Sequence, residues 1–230
     1  MKKGIFTILC LTLLVANVAA QSKKVNIGIT AGPSIDWLSS QNDQYDKGGV
    51  IVGLRYGIPL DINLTKDENY YFSTGVKVEH TGGKVKYTGR NDAFQGKDVF
   101  ITTKYSAIFL SVPTGIKLKT PSFNNFVIAG NVGLSHAFAL NSKKFDRIKD
   151  GNKEFKEKTK YEGHSFFKES LYAGLGLEYI IKENLRASFM VNYSYTFTNY
   201  HNKNILNEFN PKERLKGNLG VVDFMFGIFF

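Results

Sequence analysis

Val50-Ile51-Val52-Gly53-Leu54-Arg55-Tyr56-Gly57-Ile58-Pro59-Leu60-Asp61-Ile62-Asn63-Leu64 decides how this chain is read. Every even position is apolar, and the odd positions carry glycine, arginine, proline, aspartate and asparagine after a single Ile51. A period of two is that of a β-strand with one apolar and one polar face. The run is more than twice as long as the roughly 5–6 residues usual in globular sheets.

Seven further runs share the pattern. They are Lys24 to Leu38, Tyr70 to Thr81, a segment from near Phe100 to Leu118, Phe126 to Leu140, Phe167 to Ile181, Leu185 to Thr198, and Gly217 to Phe230. The links after the second, fourth and sixth runs are short (65–69, 119–125 and 182–184). Those after the first, third, fifth and seventh are long (39–48, 82–99, 141–166 and 199–216). Short turns alternating with long loops are the layout of an outer-membrane barrel. The expected fold is therefore all-β: a closed antiparallel transmembrane β-barrel of eight strands in an up-and-down meander, with short periplasmic turns and long extracellular loops.

The ends agree. Lys2 and Lys3 precede an apolar stretch from Ile5 to Val15 and a small-residue Val18-Ala19-Ala20 site. Residues 1–20 thus read as a cleaved signal peptide and 21–230 as one barrel domain. The lone Cys10 falls inside the signal, so the mature chain needs neither disulfides nor thiolate ligands. No later stretch approaches eighteen unbroken apolar residues, which excludes a membrane helix, whereas a membrane strand needs only about 9–11 alternating residues. The mean hydropathy of −0.19 suits such alternation. The net charge is +10, or +8 once Lys2 and Lys3 are gone. Export argues against nucleic acid as the partner and leaves anionic lipid headgroups or lipopolysaccharide phosphates to face the excess.

Lipid cannot hydrogen-bond a bare sheet edge, so strands facing lipid must close on themselves. An eight-stranded barrel leaves an interior just filled by side chains. The polar phases would line it with glycines and with charges of both signs: Arg55, Asp61, Lys77, Glu79, Lys117, Glu178, Arg186 and Asp223. Hairpin register brings Arg55 towards Glu79 and Glu178 towards Arg186. The expectation is a plugged interior, with a narrow path for small solutes as the alternative. Aromatic residues fall near both ends of the strands, with Tyr70, Phe126, Tyr179 and Phe230 at one and Trp37, Phe138, Tyr195 and Phe197 at the other, as at two membrane interfaces.

No enzyme is expected. His80 and His136 fall on the lipid-facing phase, and His164 and His201 fall in loops, none beside a nucleophile in sequence. Ser135 and His136 are adjacent and so point to opposite faces. Gly174-Leu175-Gly176 lies inside a strand, lacks a third glycine and opens no helix, so it is not a dinucleotide site. No metal or cofactor motif stands out. The most distinctive surface is the loop 141–166, where Lys143, Lys144, Arg147, Lys149, Lys153, Lys156, Lys158 and Lys160 alternate with acidic residues. It reads as a solvated loop, a protruding hairpin or a short helix, with lipopolysaccharide phosphates or a partner protein as candidate contacts.

Phe109-Leu110-Ser111-Val112-Pro113-Thr114-Gly115-Ile116-Lys117, Phe126-Val127-Ile128-Ala129-Gly130 and Ala173-Gly174-Leu175-Gly176-Leu177-Glu178-Tyr179 resemble strands of the PorT-like outer-membrane β-barrel family of Gram-negative bacteria. The resemblance spans about Lys24 to Phe230, with Thr114-Gly115 standing where that family has larger aliphatics. It implies an outer-membrane protein without catalytic residues, linked to protein secretion or envelope assembly. The terminal Phe230 is what the barrel-insertion machinery meets in such proteins.

Overall fold

The computed structural model describes residues 25–65, 68–91, 97–150, 153–202, 205 and 213–230. The expected signal peptide lies outside them, as does part of the expected loop 199–216. Among the described residues ten strands form one antiparallel sheet: β1 (Val25–Ser40), β2 (Asp46–Lys47), β3 (Ile51–Asn63), β4 (Tyr70–Asn91), β5 (Lys97–Lys119), β6 (Phe126–Asp150), β7 (Lys153–Lys160), β8 (Phe167–Lys182), β9 (Leu185–Thr196) and β10 (Gly217–Phe229). Among the described residues no helix is long and apolar enough to cross a membrane, which says nothing of strands.

The eight long strands each pair with two others. β1 lies between β3 and β10, β4 between β3 and β5, β6 between β5 and β8, and β9 between β8 and β10. The alternation seen in the sequence sets the register. Arg55 stands opposite Glu79, and Val52 and Tyr56 share a face with their neighbours Ile35 and Val78. Every apolar even position from Val50 to Ile58 is exposed, while Arg55 and Asp61 are buried. The large apolar residues thus face outward and the polar ones inward, the reverse of a soluble protein.

The short connections are tight. Phe123 and Phe126 exchange two backbone hydrogen bonds around Asn124 and Asn125, whose φ values are 48° and 66°. Two successive positive φ values make the hairpin turn that matches strand twist, and asparagine tolerates them.

The long connections depart from expectation. Most of 82–99 is strand, because β4 and β5 pair without interruption from Lys77–Ser111 to Asn91–Lys97. Likewise 141–166 is not a loop: β6 runs on to Asp150 and turns back as β7. Short β2 pairs with the outer part of β4. Three of the expected strands are therefore much longer than their apolar faces. In β6 the extension follows a bulge, since Ile108 faces Asn141 whereas Phe109 faces Ala139. The extra residue, Leu140, switches which parity points inward.

Candidate functional site

Two ionic clusters fill the interior behind the apolar band. The first centres on Glu79. Its carboxylate lies 3.4 Å from Arg55 Nη1, 3.2 Å from Lys77 Nζ and 2.7 Å from Lys168 Nζ, and it accepts from Ser111 Oγ at 2.9 Å. Arg55 also reaches Asp223 at 3.4 Å, which accepts from Asn192 Nδ2 at 2.6 Å. The second lies nearer the short turns. Glu178 is held by Lys117 at 2.7 Å and Lys119 at 2.8 Å, and Lys117 reaches on to Asp61 at 2.8 Å. Asp61 accepts from Ser73 as well. Arg186 is peripheral, half-buried and 3.9 Å from Glu178.

Charges buried this deeply are tolerable only when paired and further hydrogen-bonded. The lysines gain a second support from rings: Lys117 lies 4.5 Å above Phe229, Lys119 4.4 Å above Tyr71 and Lys168 4.7 Å above Phe109. A cavity of about 110 Å³ remains beside Asp61, Lys117, Tyr172 and Asp223, with room for several water molecules. Cations and carboxylates close on each other across the interior.

Of the eight charges expected on the inner face, Arg55, Asp61, Glu79, Lys117, Glu178 and Asp223 are buried in these clusters, and Lys77 and Arg186 are half-buried at their margins. The sequence reading passed over Lys119, one residue beyond the strand end it drew, and Lys168, which shares its parity with Glu178. Asp36 lies on the same inward phase of β1 as Ser34. Asp36 is fully buried between Ser34 and Leu38 on the same strand.

Beyond the ionic clusters, towards the long hairpins, the interior changes character. Leu38, Tyr45, Val85, Tyr87, Val99, Ile101, Tyr105, Phe109, Ile148, Tyr200, Leu215 and Leu219 form one hydrophobic core. Tyr105 packs on Tyr161 at 4.9 Å and on His201 at 5.1 Å. Tyr161 Oη meets His201 Nδ1 at 2.6 Å, and Ser142 Oγ meets Tyr200 Oη at 3.3 Å. Burial, with a smaller contribution from Lys144, pushes the His201 imidazole down to about 3, and burial raises the Tyr200 phenol to about 12. This core caps the interior and was not foreseen, because most of its residues fall in stretches read as loops.

The outward face of the same extension is basic. Of the eight cations expected in a loop, Lys143, Arg147, Lys149, Lys156, Lys158 and Lys160 are exposed on strands, whereas Lys144 is half-buried and paired with Asp146 at 3.1 Å. Lys153 pairs with Asp150 in the backbone ladder. Of the three forms expected for this segment, the structure shows the protruding hairpin, whose two faces divide these charges.

One polar chain sits on the lipid-facing phase. His136 Nδ1 lies 3.1 Å from Glu169 Oε1, and its Nε2 lies 3.3 Å from Thr114 Oγ1. The three residues come from β5, β6 and β8, so no local motif could reveal them. Among the described residues no group of three His, Cys, Asp or Glu side chains could hold a metal.

Residues 6–213 match the outer membrane protein beta-barrel domain family, and the chain belongs to that family. Its location is the outer membrane. Solved structures with a similar fold include Neisserial surface protein A, at 12% identity and TM-score 0.46, covering 88% of this chain and 95% of that one. Ail, the attachment invasion locus protein of Yersinia pestis, is 14% identical with TM-score 0.35, covering 90% and 99%. OprG of Pseudomonas aeruginosa is 13% identical with TM-score 0.37, covering 90% and 97%. No curated protein matches the chain.

Proposed function

We propose that this protein is a closed, eight-stranded outer-membrane barrel with a plugged interior, non-enzymatic, that acts through its protruding hairpins. The turns between β3 and β4, β5 and β6, and β8 and β9 then face the periplasm, and β4–β7 rise outside. The observation that carries the reading is the interior itself: two interlocked ionic clusters beneath a hydrophobic cap. Such a body anchors and displays; it does not conduct. An accessory role in envelope assembly or in protein secretion, of the PorT-like kind, fits a rigid anchor with a large projecting sheet. Its insertion would use the barrel-insertion machinery.

Planar-bilayer recording tests this directly. Purified protein should give no stable conductance step, and a large steady single-channel current would establish the alternative, a narrow channel. Co-purification after mild detergent extraction tests the accessory role, with a reproducible envelope or secretion partner expected.

The Thr114–His136–Glu169 chain favours a second reading. Hydroxyl, imidazole and carboxylate in this order are what an activated nucleophile requires, and they face lipid. On the leading reading they only satisfy one another's hydrogen bonds, since lipid offers none. Fatty-acid release from phospholipid vesicles, abolished by Thr114→Val, would make the protein a lipid acyl hydrolase.

A further inference from the structure

On β4, β5, β6 and β7 the outward phase does not stay apolar. Along β5 it runs from Leu118 through Ile116 and Leu110 to Ile108, then becomes Ser106, Lys104 and Thr102. The ten steps from Leu118 to Ile108 span about 33 Å of strand at ~3.3 Å each. At a tilt of about 40° that is ~25 Å of height, the thickness of an outer-membrane apolar band. Lys104 then lies roughly 10 Å above the band's outer edge, at headgroup depth.

The neighbours of Lys104 at that height are also cations. Lys84 stands directly opposite it on β4, and Phe145 opposite it on β6, with Lys158 opposite Phe145 on β7. Lys86 on β4 and Lys149 on β6 extend the row outward. Lys104 Nζ and Lys158 Nζ lie 5.8 and 5.4 Å from the centre of the same Phe145 ring. Two ammonium groups are thus gathered around one aromatic ring. The ion pairs among the described residues of this outward face are Arg147–Glu154, Lys156–Glu154 and Lys160–Glu162, and Lys84, Lys86, Lys104, Lys149 and Lys158 make none with a described carboxylate within 4.0 Å. A groove of about 770 Å³ follows the row. Two carboxylates also border it: Asp146, held by Thr103 at 2.6 Å and Lys144 at 3.1 Å, and Glu157, which stands opposite Asp146 on β7 and so shares its phase, not that of the lysine row.

We infer that this face binds the phosphate groups of the lipopolysaccharide that surrounds the protein in the outer leaflet. The inference rests on the proposed membrane-spanning reading. It commits to a membrane-borne phosphate over a soluble polyanion because the row continues the lipid-facing phase of the same strands and begins where the apolar band stops. A ligand whose acyl chains lie along Ile108, Leu110 and Phe138 presents its phosphates at Lys84, Lys104 and Lys158.

The test uses the full-length mature protein folded in phosphatidylcholine nanodiscs doped with bis-phosphorylated or dephosphorylated lipid A, read by native mass spectrometry. Bis-phosphorylated lipid A should be retained about tenfold better, charge-assisted contacts to phosphate being the strong ones. Raising the salt to ~0.5 M, where the Debye length shrinks to a few Å, should weaken the retention. The quadruple variant Lys84→Gln, Lys104→Gln, Lys149→Gln and Lys158→Gln should lose the preference, and the four Lys→Arg changes should keep it. Equal retention of both lipids, or an unaltered quadruple variant, overturns the inference. Inorganic polyphosphate that displaces lipid A at equal phosphate concentration overturns the membrane source. The salt and lipid comparisons on the unaltered protein hold even if the quadruple variant misfolds. Failure of the unaltered chain to fold in lipid, seen as loss of heat-modifiable gel mobility, defeats the membrane-spanning reading instead.

Discussion

Within the apolar band the interior holds Glu79, Lys168, Lys117 and Glu178 while the exterior holds Val76, Ile116 and Leu177. A few residues further along the same strands the interior holds Val85, Tyr105 and Ile148 while the exterior holds Lys84, Lys104 and Arg147. The polarity of the wall inverts at one level. The cause is the change of solvent. Beside lipid, the outward face must be apolar and gains nothing from a greasy interior that it could not gain from lipid itself. The interior can therefore be specified by ion pairs. Beside water, the extension must hold itself together as soluble proteins do, by removing apolar surface from water. The level of inversion is also where the proposed phosphate-binding face begins.

The comparison can be broken most sharply at Glu79. Glu79→Ala leaves Lys77 and Lys168 without their carboxylate and Arg55 with Asp223 alone. Unpairing a buried ion cluster costs about 3–5 kcal/mol, so the urea midpoint of unfolding in lipid should fall steeply. A wild-type midpoint would show that the cluster is wet and weakly coupled.

Tyr105→Ala attacks the other region. Removing a buried aromatic costs about 3 kcal/mol or more, but here the loss should stay local. The expected outcome is faster protease nicking of the β4–β7 hairpins, with heat-modifiable mobility of the band-embedded part retained. Loss of both together would mean that the cap and the band fold as one unit.

Acid should separate the regions further. His201 titrates at about 3 in the fold against about 6.5 when unfolded. Its folded value is depressed, so the unfolded state binds the extra proton between those limits. Stability of the cap is then full above about pH 6.5 and falls by about 1.4 kcal/mol per pH unit down to about pH 3. Hydrogen exchange at Tyr161, Tyr200 and His201 should quicken over that window, and His201→Gln should flatten the dependence.

The smallest effect belongs to the lipid-facing chain. Glu169→Gln keeps a hydrogen-bond acceptor for His136 and should cost about 1 kcal/mol or less, measured by the same urea titration.

Within the band the sequence was legible because one rule holds there nearly throughout, the Thr114–His136–Glu169 chain standing as an exception. From Val50 to Leu64 the even residues meet lipid, and parity alone assigns Arg55 and Asp61 to the interior. Lys168 could have been found the same way, since it shares the phase of Glu178. The expected strands Tyr70 to Thr81 and Phe126 to Leu140 end where the rule reverses. In β5 the outward apolar residues are even-numbered from Leu118 to Ile108, and beyond them the buried apolar residues are odd-numbered at Tyr105, Ile101 and Val99, although the strand itself never changes phase. A reversal of solvent looks, in one dimension, like the end of a strand. In β6 the Leu140 bulge adds a true change of phase to the change of solvent, and the segment beyond it reads as a charged loop.

The sequence by itself determined the membrane-facing surface, the strand order and the inner charges, because an outward side chain has only lipid to satisfy and a period of two records that choice directly. Which charge meets which carboxylate, that the hairpins carry a core of their own, and that Lys84, Lys104 and Lys158 stand side by side were decided only in three dimensions. Those contacts join residues from strands far apart in the chain, and each partner's identity depends on register, bulge and strand length, which alternation alone does not encode.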